Sequence, residues 1–208
     1  MPISDKPRFS KGELRRIAVL DVAEKLFLSD GISNVTLDVI IAEAGGSRRV
    51  IYEHFGDKAG LFQAVFERIA RRVDAELEGV QEIDSEPRES LCRLGENLLK
   101  VLTSYPTLPL FELVLSESRR VPVIGQMFYE AVPGKAYSVL ADYLDRQIAL
   151  GTLRPVDTAM AARQFLGMIR EDVHLRCVLQ PGYRPSEQDI KKVVAGAVDV
   201  LMYAMTPE

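Results

Sequence analysis

The sequence predicts an all-α protein: an N-terminal three-helix helix-turn-helix domain followed by a larger helical domain. Three observations carry this. Apolar residues recur at three- and four-residue spacing along almost the whole chain. No period-two alternation of β-branched residues occurs, and no Asn-Gly or Asp-Gly hairpin joins two such runs. Glycines, prolines and capping residues cut the helical pattern into nine or ten pieces, short ones first and long ones after.

The elements follow in order. Ile17, Leu20, Ala23 and Phe27 define a first helix, which Gly31 stops after Asp30. Thr36 caps a short helix carrying Leu37, Ile40, Ile41 and Ala44, and Gly45-Gly46 breaks it. Ser47 caps a second short helix that ends near Phe55-Gly56. Asp57 caps a longer one carrying Leu61, Val65, Ile69, Val73 and Leu77. A break at Asp84-Ser85-Glu86-Pro87 precedes a helix through Leu91, Leu94, Leu98 and Leu102. Pro106 and Pro109 bound a connector, and a helix opens at Leu110. Pro122 and Pro133 are expected to cut the next stretch into short pieces. A helix from about Gly134 to Gly151 carries Leu140, Tyr143, Leu144 and Ile148. Asp157 starts another, through Ala162, Phe165, Leu166, Ile169 and Val173, and Ser186 caps the last, through Ile190, Val194, Ala197, Val198 and Leu201.

Composition removes several alternatives. Hydrophobic residues make up 47% of the 208, too many for a disordered chain. No uncharged apolar run approaches the ~18 residues of a membrane span, and Met1–Lys6 lacks the apolar core of a signal peptide. A cytoplasmic protein that does not contact membranes is therefore expected. Cys92 and Cys177 fit no metal spacing and no disulfide framework, so free thiols are expected and neither a metal nor a cofactor is. The net charge of −4 weighs against nucleic acid, but its distribution is uneven. Residues 1–60 balance nine basic against nine acidic side chains, and residues 1–16 carry an excess of +3 on an expected flexible arm.

The spacing in residues 36–58 points to function. Two short helices separated by a glycine-containing turn form a helix-turn-helix. The second buries Val50, Ile51 and Phe55 and exposes Arg48, Arg49, Tyr52, Glu53 and His54. A short helix with arginines at its N-terminal end suits a major groove. Each arginine can offer a bidentate fork to guanine O6 and N7, or reach a phosphate instead. Either role is open to both at this stage, and Tyr52, Thr36 and Ser47 could equally serve as core or caps alone.

At these positions the sequence resembles the DNA-binding domain of the TetR family. The resemblance is carried by Ala23, Phe27, Gly31, Thr36, Ala42, Ala44-Gly45, Ser47, Ile51-Tyr52, His54-Phe55, Lys58 and Leu61, with Tyr52-Glu53-His54-Phe55-Gly56-Asp57-Lys58 the most diagnostic run. It implies a repressor that binds a double-stranded operator as a homodimer and is released by a small-molecule effector. It also implies phosphate contacts from Tyr52, His54 and Lys58, to which Thr36 and Ser47 can add. Three positions depart from the pattern. Gly46 replaces an apolar residue, Gly60 a charged one, and Asp38 stands where some relatives contact DNA and is expected to repel phosphate. Phe111–Glu117, Phe128-Tyr129-Glu130, Gly151–Arg154 and Ala161–Gly167 are similar to the ligand domain of the AefR-like branch. The expected domains are 1–58 for DNA and 59–208 for ligand binding and dimerisation.

Residues 85–208 hold no nucleophile–base constellation, no glycine-rich phosphate loop and no metal spacing, so no catalytic residue is expected. His174 is expected to pair with Arg170 one turn away. A helical small-molecule-binding or enzymatic module without DNA regulation is the alternative reading, but it leaves the Arg48-Arg49 pair unexplained. The last helix is apolar on two faces, Ile190, Val194, Ala197 and Leu201 on one, and Val193, Val200 and Ala204 on the other. One face fits its own core, the other a second copy. In the proline-broken region a ligand cavity is expected, lined by Phe111, Leu115, Phe128, Tyr129, Tyr137, Gln164 and Met168.

Overall fold

A computed structural model describes residues 10–45, 47–78 and 86–207, apart from the side chains of residues 76–78. Among them lie ten α-helices and no strand: α1 (Lys11–Asp30), α2 (Leu37–Ala44), α3 (Arg48–Phe55), α4 (Lys58–Glu78), α5 (Pro87–Leu102), α6 (Thr107–Glu117), α7 (Pro122–Tyr129), α8 (Lys135–Ala149), α9 (Thr158–Leu179) and α10 (Glu187–Met205). A π-helical segment, Glu130–Gly134, joins α7 to α8. The chain divides into two compact units, and the border between Ile69 and Ala70 falls inside α4.

Side-chain caps set most helix starts. Thr36 accepts from the Val39 N–H, Asp57 from Gly60, Asp157 from Met160, and Ser186 forms a reciprocal capping box with Asp189. Helix α1 begins earlier than its apolar pattern, because Ser10 and Glu13 form a second capping box. Lys11, Arg15 and Arg16 are therefore helical, not part of a flexible arm. Lys6, Arg8, Gly46 and the Asp84-Ser85 break lie outside the described residues, as does the Leu77 side chain.

Two proline expectations are corrected. Helix α6 starts at Thr107 and takes Pro109 into its first turn, where the missing N–H has no helical acceptor anyway. Pro133 does not cut the chain. The π segment widens around it, and α7 continues into α8.

In the first unit α1 packs on α2 and α3, with Ile40 and Ile51 fully buried. Phe27 of α1 meets Phe62 of α4 edge-to-face at 5.8 Å between centroids. Arg68 of α4 reaches back to α1, donating to Glu24, to Asp21 at 2.6 Å and to the Leu20 carbonyl at 3.3 Å. Burial opposes its charge, but the two carboxylates outweigh that and raise its pKa. Glu24 is buried, so this pairing holds a desolvated carboxylate against α4.

In the second unit α8 packs on α9, α9 on α10, and α10 on α5. Gly95 permits the last approach, since a Cβ there would stand 2.7 Å from Cγ1 of Val194. The core is aliphatic and aromatic, with Leu99, Leu110, Leu140, Leu144 and Phe165 fully buried. Cys92 and Cys177 are free thiols.

Candidate nucleic-acid interface and ligand cavity

Helix α2 ends at Gly45, whose φ of +67° lets the chain reverse where a Cβ would strain it. Helix α3 then presents one face inward, with Ile51 and Phe55 buried, and the other outward. Arg48, Arg49, Tyr52, Glu53 and His54 are all exposed, Tyr52 by 57%. Thr36 is committed to capping α2. Ser47 occupies the N-cap of α3 but makes no side-chain cap hydrogen bond, which leaves its hydroxyl for another acceptor. Lys58 opens α4, half-buried. The seven residues expected at DNA thus lie on α3 and on the adjoining starts of α2 and α4.

Arg48 donates bidentately to Asp38 across the turn, Nε at 2.8 Å and Nη2 at 2.6 Å. Arg49 donates to Glu53 at 2.6 Å, one helical turn on. The Arg48 guanidinium holds Asp38 below the usual carboxylate range, and each arginine is in turn raised by its acid. Both arginines are thus paired in place with carboxylates, and any other acceptor they meet has to displace those partners.

Close backbone approach explains Gly60. A Cβ at this position would stand 2.0 Å from the Phe55 carbonyl oxygen, which belongs to the last turn of α3. The glycine fixes how tightly α3 and α4 are joined.

In the second unit a cavity of about 40 Å³ opens between α5, α6, α7, the π segment, α8 and α9. Its walls are largely apolar, from Leu98, Leu102, Phe111, Phe128, Val132 and Leu166, with Thr107, Tyr137, Arg170 and His174 as its polar members. Phe111, Phe128 and Tyr137 were expected here. Leu115, Tyr129, Gln164 and Met168 are exposed and do not line it. Helical register gives the reason. The cavity face of α9 runs through Leu166, Arg170 and His174, and Gln164 and Met168 lie about 120–160° around the helix from its centre. Tyr129 follows the lining Phe128 and so points about 100° away. His174 is buried with its ring edge-on to Phe111 at 4.7 Å between centroids, and burial, reinforced by Arg170, lowers its pKa to about 4. It is neutral at pH 7, a cavity wall instead of half a salt bridge.

Two family models cover the chain. Residues 19–65 match the model for bacterial regulatory proteins of the tetR family, and residues 89–205 match the C-terminal domain of AefR-like transcriptional repressors. The chain belongs to the TetR family. It carries that family's helix-turn-helix DNA-binding domain, and the relatives it matches include transcriptional regulators and the nucleoid occlusion factor SlmA. The HTH-type transcriptional regulator AcrR of Shigella flexneri is 38% identical over 90 residues, 43% of this chain and 40% of AcrR, so the match spans less than half of that relative. A TetR-family regulator from Mesorhizobium loti has the same fold, with a TM-score of 0.83 at 20% identity over 96% of this chain and 100% of the other. The flavonoid-responsive regulator FrrA has a TM-score of 0.72 at 27% identity, over 93% and 98%. No single helix among the described residues is long and apolar enough to cross a membrane, and no group of side chains there could hold a metal ion.

Proposed function

We propose that this TetR-family chain is a cytoplasmic, ligand-responsive repressor. Residues 1–58 read a palindromic operator, and residues 59–208 dimerise and bind the effector. The observation that carries the reading is α3: a helix anchored by Ile51 and Phe55, opening on Arg48 and Arg49, and flanked by the α2 and α4 starts. That face delivers forks to base edges from the helix N-terminus, while Ser47, Tyr52, His54, Lys58 and the Thr36 end of α2 serve phosphates.

Dimerisation is supported by unpartnered apolar side chains on α9 and α10. Ile190, Val194, Ala197 and Leu201 are buried, whereas Val200 is 58% exposed and Tyr203 93%. On α9, Leu175 and Leu179 are likewise exposed. A two-fold pair of such chains would present two recognition helices to successive major grooves.

The cavity in the second unit is the effector site. At about 40 Å³ it has room for roughly three waters, well below the ~300 Å³ of a ligand pocket, so an effector must part its walls. Pro133 and the π segment form one of those walls, where the helix is already irregular. Helix α4 is the continuous link to DNA. Arg68 anchors it to α1, and Asp74 anchors it to Lys135 of α8 at 2.7 Å. Similarity to a flavonoid-responsive regulator supports effector control.

Selection of bound fragments from genomic DNA by the purified protein tests this. The reading requires an enriched palindrome with half-sites about one helical turn apart, bound by a species that sediments as a dimer. No enrichment, or enrichment of a single half-site by a monomer, would contradict it.

A further inference from the structure

Besides the neutral hydroxyls of Thr107 and Tyr137, the polar groups of the cavity are nitrogen bases, with no acid among them. Arg170 and His174 lie one turn apart on the same face of α9, and no Asp or Glu is among the lining residues. Arg170 forms no ion pair with any described residue. His174 is 6% exposed with its ring edge-on to Phe111, and neither ring nitrogen is hydrogen-bonded to a described group. Neither nitrogen is among the fully buried polar atoms left without a partner, so the ring edge reaches the open space of the cavity, where a neutral imidazole offers an N–H donor.

We propose that the effector is an apolar organic anion, a molecule with an aromatic or aliphatic body and one acidic group, whose charge meets Arg170 and accepts from His174. The proposal rests on the cavity being the effector site. The body of such a molecule replaces water against Leu98, Phe111, Phe128 and Leu166. Arg170 is exposed as well as lining the cavity, and an apolar body that covers its charge costs least when an acidic group on the same molecule pairs with it. A neutral ligand of the same shape would desolvate Arg170 with nothing in return. A cationic one would add repulsion, with no carboxylate to offset it.

Isothermal titration of the full chain with 2-naphthoate, 2-naphthamide and 2-naphthylmethylammonium at pH 7.5 separates these cases, because the three share a ring system and differ in charge. The proposal requires 2-naphthoate to bind at least tenfold more tightly than the amide, and the ammonium to bind weakest. In Arg170→Gln the carboxylate should fall to the level of the amide while the amide itself is unchanged. In Leu166→Trp, which fills the cavity, binding of 2-naphthoate should be lost. Equal affinity for acid and amide, preference for the cation, or indifference of 2-naphthoate to Arg170→Gln would overturn the inference and leave the cavity as the site. Binding of none of the three, or undiminished binding to Leu166→Trp, would instead overturn the effector-site reading beneath it.

Discussion

Gly60→Ala should disable DNA recognition while leaving the protein folded. The added Cβ would lie 2.0 Å from the Phe55 carbonyl oxygen and 3.1 Å from its carbon, where real contacts do not fall below about 3.0 Å. The end of α3 and the start of α4 must therefore part by about 1 Å. Overpacking of this kind costs about 1–3 kcal/mol, and alanine in a helix returns about 1 kcal/mol relative to glycine. The net loss is about 0–2 kcal/mol. At about 2–4 °C per kcal/mol for a chain of this size, the melting temperature falls by at most about 8 °C. Recognition is less tolerant. A bidentate base contact held by Arg48 or Arg49 discriminates by roughly 10- to 100-fold, and a 1 Å shift forfeits one in each half-site. Operator affinity, measured by fluorescence anisotropy, should fall by roughly 100-fold or more, alongside a near-normal thermal transition by circular dichroism. Gly12→Ala is the control, because its Cβ meets nothing nearer than Oγ of Ser10 at 3.9 Å. Wild-type operator affinity in Gly60→Ala would refute the argument that this glycine sets the α3–α4 join.

Four further outcomes are expected. Asp38→Asn frees Arg48, so binding to non-operator DNA should strengthen several-fold at low salt and the ratio of specific to non-specific affinity should drop; an unchanged ratio would mean the ion pair does not restrain Arg48. Lys58→Ala should weaken specific and non-specific binding alike and flatten the salt dependence by about one unit per protomer, whereas a loss at one base position only would contradict a phosphate role. Val200→Glu should give monomers in sedimentation and no operator binding at ordinary concentrations, and a variant that remains dimeric would remove the α9–α10 face from the interface. His174 is neutral in the folded state, with its pKa lowered from 6.5 to about 4, so the unfolded chain takes up its proton first. Its contribution is constant above pH 6.5 and is lost as the pH falls from 6.5 towards 4, reaching about 3 kcal/mol. His174→Gln should therefore lose less stability than wild type across that window, and parallel losses in the two proteins would show that the histidine is not the cause.

Much of the architecture was legible because it is written in local chemistry. Thr36, Asp57, Asp157 and Ser186 each cap the helix expected of them, and Gly45 turns where the two short helices meet. The outward face of α3 followed from the spacing of Val50, Ile51 and Phe55, although Val50, beside the exposed Arg49, is only half-buried. What was missed depended on contacts between residues far apart or on polar segments without a pattern. Residues 11–16 show no apolar periodicity, so the start of α1 is visible only through the Ser10–Glu13 box. The Arg48–Asp38 pair spans the turn, and nothing in a stretch of sequence joins residues ten apart. In the cavity, apolar and aromatic composition found Phe111, Phe128 and Tyr137. The same rule selected Leu115 and Tyr129, whose register points them to solvent, and passed over Arg170 and His174, because two polar residues one turn apart read as partners of each other and not as members of a wall.

The central claim is that Arg48 and Arg49 on α3 read the operator. The most direct measurement is the affinity of the Arg48→Ala/Arg49→Ala protein for the palindrome recovered by selection, at fixed salt, with circular dichroism and sedimentation confirming a folded dimer. Operator affinity should collapse to the level of non-specific DNA. A folded, dimeric double variant that still binds the palindrome as tightly as wild type would contradict the account.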